Sequence, residues 1–182
     1  MTPAGWRILL ATTAVLVAAL VQTVVLSRLP LPGAVPDLTL VVLVGLAMAA
    51  GSSFGAYSGF GAGLLLDVLP PAAGTLGVTA LALTLVGWLA GRVRDPRGLA
   101  PAETAALVAG LSVLAVTIES GLAWLMGHGI GSFGYWALTL VTGAVYSVLL
   151  GVAVIPAITA TFRRLTPAGA PRRARRASLP GA

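Results

Sequence analysis

Residues 51–67 read GSSFGAYSGFGAGLLLD, and how this stretch folds decides the architecture of the whole chain. Gly51, Gly55, Gly59 and Gly63 recur every four residues and Asp67 continues the row, so on an α-helix all five share one face. A helix face stripped of side chains is a smooth groove along which a second helix, from this chain or a partner, can approach closely. The preceding residues 35–50 are also apolar, and without a break 35–69 would form a single rod about 52 Å long. A bilayer core of about 30 Å makes that rod too long for one crossing and slightly short for two. The GSSFG sequence at 51–55 supplies a break, which predicts two compact helices.

Outward from this point, uncharged apolar blocks predict spans at 8–26, 35–50, 51–69, 74–91, 101–126 and 133–162, the last with Pro156 near its end. The 182 residues are 58% hydrophobic and 9% charged, with a mean hydropathy of +1.00, which excludes a water-soluble domain. A membrane barrel needs polar and apolar residues in alternation, and the blocks do not alternate. The first block lacks a small-residue cleavage site before the Pro-rich 27–37 stretch, so an uncleaved span is expected. The reading is an all-α polytopic membrane protein with a six-helix domain over 1–165 and a disordered Arg-rich cytoplasmic tail over 166–182.

The net charge of +6 comes from 11 arginines, no lysine and 5 acids. Arginine is retained on the cytoplasmic side of membrane proteins. Arg92, Arg94 and Arg97 therefore predict a cytoplasmic loop, and Arg163, Arg164, Arg172, Arg173, Arg175 and Arg176 a cytoplasmic tail held near anionic lipid. Six spans put both termini inside with ten arginines against one, and fusing the second and third helices gives the same count, so the break at 51–55 has to decide. The basic charge sits beside a membrane helix rather than on an aromatic-bearing folded face, which excludes nucleic acid as a partner.

No cysteine is present, and the lone His128 has no companion, so no disulfide, thiolate or metal site is expected. Nor do the residues assemble a nucleophile triad or a phosphate-binding loop, so no catalysis and no cofactor are expected. The Pro36-Asp37 pair and Pro101-Ala102-Glu103 each place proline at a helix start and an acid in its first turn, where the helix dipole favours it. Asp67 ends a helix, at the wrong end of the dipole, and needs compensation, for which Arg28 is the candidate because six spans put both on the outer face. Gln22 is expected to hydrogen-bond between helices. Glu119 lies inside the fifth span, where a carboxylate is either a hydrogen-bonded packing group or a functional one.

The segment 21–93 resembles the rod shape-determining protein MreD family. The resemblance rests on Gln22, the Pro36-Asp37 pair, the GxxxGFxxGLLLD run ending at Asp67, and LVGWLAGR at 85–92. It covers about 70 residues. The fifth and sixth helices match in length and hydropathy only, and Ala49-Ala50-Gly51-Ser52 stands where family members often carry a basic residue. The resemblance implies a non-catalytic subunit of the bacterial cell-elongation complex in the cell membrane. Its implied partners are an MreC-like bitopic protein, the peptidoglycan synthases and the MreB filament. It also implies a fold similar to the membrane substrate-binding subunits of vitamin uptake transporters, which makes a small-molecule uptake subunit the alternative. Trp124, His128, Tyr135 and Trp136 could line an outer pocket for such a substrate.

Overall fold

In the computed structural model, residues 3–29, 33–69, 75–93, 99–127 and 132–165 are described. They form α1 (Pro3–Val24), a 3-10 turn (Leu26–Arg28), α2 (Leu38–Ala50), α3 (Ser52–Val68), α4 (Val78–Arg92), α5 (Pro101–Leu125) and α6 (Phe133–Leu165). The break expected within 51–55 falls on one residue. Gly51 takes φ 105°, accessible to glycine at little cost, donates its N–H to the Ala47 carbonyl to close α2, and accepts from Gly55 N to open α3. Helix starts are likewise chemical. α2 begins at Leu38 because the Asp37 side chain accepts the Leu40 N–H at 2.9 Å, so Asp37 is the N-cap itself rather than a first-turn acid. α5 begins at Pro101, and Glu103 accepts the Ala100 N–H at 2.9 Å, which is half of a capping box. α4 starts at Val78, later than the expected 74, after Gly77 in the left-handed region.

Helices consecutive in the chain run in alternating directions. Gly55 faces Gly87 and Gly63 faces Ala80, so α3 and α4 are antiparallel. Ser112 faces Ser147 and Val108 faces Gly151, so α5 and α6 are antiparallel. Ala34 meets Thr142 while Gly45 meets Ile158, which makes α2 and α6 parallel. Gln22 meets Thr39 and Leu10 lies near Leu46, which makes α1 and α2 antiparallel. The start of α1 and the end of α6 consequently lie at the same end of the bundle.

α2 is the core. Every residue from Thr39 to Ala49 is buried, with α1, α3, α4, α5 and α6 around it. That is why this helix is apolar on all sides instead of along one stripe. At 13 residues it is about 20 Å long, shorter than a bilayer core. The backbone before it is satisfied by protein: Ala34 N–H donates to the Thr142 hydroxyl at 2.9 Å, and non-helical backbone is tolerated at membrane depth when so covered. Three segments, 5–28, 101–125 and 133–161, are long and apolar enough to cross a membrane, while α2 and α4 are shorter apolar helices.

Candidate functional site

The glycine row of α3 is filled from within. A Cβ at Gly55 would fall on the Gly87 carbonyl and on Ala47, one at Gly59 on the Leu83 carbonyl, and one at Gly63 on the backbone of Ala80. From the other side, a Cβ at Gly87 would meet the Gly55 carbonyl, and one at Gly91 the backbone of Gly51 and Ser52. Gly55, Gly59 and Gly63 therefore pack helices as the spacing suggested. The expectation that a partner helix lies along this face is corrected, because α4 occupies it over its whole length. Gly87 and Gly91, four apart, are the complementary small residues, and their spacing was readable in the sequence.

Asp67 sits at the end of this seam. Its carboxylate accepts the Gly77 N–H at 2.7 Å and the Ala80 N–H at 3.3 Å, so the last turn of α3 caps the start of α4 across the intervening loop. Compensation for Asp67 thus comes from the positive end of the α4 dipole and its unpaired N–H groups. Arg28 does not supply it: it is exposed on the 3-10 turn, and no ion pair joins it to Asp67 among the described residues. The expected Arg28–Asp67 pair is therefore withdrawn. Charge complementarity suggested it, whereas the donors nearest the carboxylate are backbone amides.

Gln22 does what its position predicts. Its side-chain oxygen accepts the Thr39 N–H at 2.9 Å, so α1 and Asp37 together satisfy the first-turn donors of α2. Glu119 lies within electrostatic reach of Asp37 and Asp67. Asp37, Asp67 and Glu119 thus collect at one end of the bundle, and Arg7, Arg92 and Arg164 at the other. Arg92 stacks its guanidinium 3.8 Å over the Trp88 ring. Glu119 has no hydrogen-bond partner among the described residues, and the hydroxyl of Thr117, two positions before it, donates to the Val113 carbonyl. Two polar features escaped the sequence reading: the buried Ser112–Ser147 contact at 3.3 Å between α5 and α6, and the fully buried Thr39 hydroxyl, which has no partner among the described residues.

Arg94, Arg97, His128, Arg172, Arg173, Arg175 and Arg176, with the whole 166–182 tail, lie outside the described residues, and the Arg163 side chain is likewise not described. Among the described residues no group of acids or histidine could hold a metal ion. Comparison with protein-family models, with curated proteins and with solved structures returns no match.

Proposed function

We propose that this chain is a non-catalytic, multi-pass subunit of the bacterial cell-elongation complex, with six membrane spans and both termini in the cytoplasm. It acts by helix–helix contact with an MreC-like bitopic protein, and through it with the peptidoglycan synthases and the MreB filament. One observation carries the reading. The residues on which the MreD resemblance rests are scattered over about 70 positions, and each holds a helix start or a helix seam: Gln22 accepts the Thr39 N–H, Asp37 the Leu40 N–H and Asp67 the Gly77 N–H, while Gly55 packs on Gly87. Gln22, Asp37 and Asp67 are committed to backbone N–H groups at helix starts, which suits a scaffold. The gathering of Arg7, Arg92 and Arg164 at the end that holds the start of α1 and the end of α6 supports a cytoplasmic placement of that end beside anionic lipid.

The experiment is depletion of the chain in its own cells, followed by pulse labelling with a fluorescent wall precursor. The expected result is loss of wall incorporation along the elongating region and a change in cell width. Normal incorporation and shape, with a defect in uptake of a small molecule, would instead favour the transporter-subunit reading.

A further inference from the structure

At the end of the bundle that holds the start of α1 and the end of α6, both helices pack on α2 and leave between them an open groove of about 240 Å³. Leu10 and Ala14 wall it from α1, Ala157, Ile158 and Thr161 wall it from α6, and the buried Leu46 of α2 forms its floor. Arg7 and Arg164 stand at its mouth. Arg7 precedes Leu10 by three residues and Arg164 follows Thr161 by three, so each lies about one turn from the lining on the same side of its helix. At 1.5 Å per residue, Ala14 and Ala157 each lie about 10 Å deeper than the arginine of their own helix.

The third arginine at this end, Arg92, is stacked on Trp88, whereas the guanidinium groups of Arg7 and Arg164 have no ion-pair or hydrogen-bond partner among the described residues. Their charge selects the occupant. A two-fold copy of this chain would bring its own Arg7 and Arg164 to the same rim, and a bitopic partner brings the Lys and Arg that membrane helices keep at their cytoplasmic ends. Both would set like charges against each other. At about 240 Å³ the groove also holds less than one turn of a helix, which occupies about 500 Å³. An anionic phospholipid brings the opposite charge: its phosphate accepts from the guanidinium groups at the rim, and an acyl chain continues into the apolar groove below.

We propose that an anionic phospholipid of the cytoplasmic leaflet occupies the α1–α6 groove, with its phosphate on Arg7 and Arg164 and one acyl chain along Ala14 and Ala157. The site rests on the cytoplasmic placement of this end and on no other part of the proposed function.

The test reconstitutes the full chain in phosphatidylcholine bilayers with a small fraction of phosphatidylglycerol that carries a photoreactive group on one acyl chain, and maps the adducts by mass spectrometry. The expected adducts concentrate on α1 at 10–14 and on α6 at 157–161, and the same photoreactive chain on phosphatidylcholine gives about tenfold fewer there. Arg7→Gln combined with Arg164→Gln should cut the phosphatidylglycerol yield at these positions about tenfold, while Arg28→Gln, at an exposed arginine of the opposite end, should leave it unchanged. Ala157→Phe, at an exposed position, should remove the adducts at 10–14 by filling the groove with both arginines in place. Adducts spread evenly around the bundle, equal yields from the two lipids, or an undiminished yield in the double arginine variant would each overturn the proposal. In the cell's own membranes, labelling of Ser132→Cys from the cytoplasm alone would sink the cytoplasmic placement and move a mapped site to the outer leaflet. Evenly spread adducts with Ser132→Cys labelled from outside would sink the lipid site and leave the placement standing.

Discussion

Replacing Gly59 by leucine is expected to prevent accumulation of folded protein, and Gly59→Ala to cost about 1–3 kcal/mol, the range for overpacking a filled interior. The cause is local. Even a methyl group at position 59 falls on the Leu83 carbonyl, which is helix backbone and cannot rotate aside as a side chain can, so α3 and α4 must separate. Gly61, two residues on and on the other face of α3, is the internal control. Gly61→Ala is expected to leave stability intact or raise it by about 0.5–1 kcal/mol, because alanine loses less backbone entropy in a helix and nothing there obstructs its Cβ. Thermal unfolding of the purified variants in one detergent measures both. Equal losses at the two positions would mean that backbone contact with α4 is not what holds the glycine row.

Asp67→Ala is expected to be the second most damaging change, at about 1–3 kcal/mol, because it leaves the Gly77 and Ala80 N–H groups without their acceptor at a half-buried helix start. Asp67→Asn keeps a carbonyl oxygen for one of these donors and should lose less than half as much. Arg28→Ala should change nothing, and Arg28→Ala combined with Asp67→Ala should match Asp67→Ala alone, since the two residues share no interaction. If Arg28→Ala reproduced the loss seen with Asp67→Ala, the arginine and not the α4 amides would be the partner.

Much of this framework was legible in the sequence because its signals are local. The glycine spacing and the break at Gly51 each depend on a few adjacent residues and lie where expected, and the proline-acid pairs mark helix starts, with Asp37 capping α2 from just outside its first turn. What escaped were pairings between distant segments. The four-residue row in α3 announces a flat face but not its occupant, and only the fold shows Gly87 and Gly91 against it instead of another protein. Asp67 announced a need for positive charge, and counting charged side chains found Arg28, because backbone N–H groups are invisible to such a count. The Ser112–Ser147 contact joins residues 35 positions apart that no motif links. Helix lengths were overestimated for the second and fourth spans, since Asp37 and Gly77 set the starts later than hydropathy did.

If the bundle is the proposed scaffold for wall-synthesis proteins, isolation of the tagged chain from its own membranes in mild detergent brings those proteins with it. The expected companions are a bitopic coiled-coil protein and a peptidoglycan synthase, recovered in constant proportion to the chain. Recovery of transporter ATPases in their place would contradict the claim.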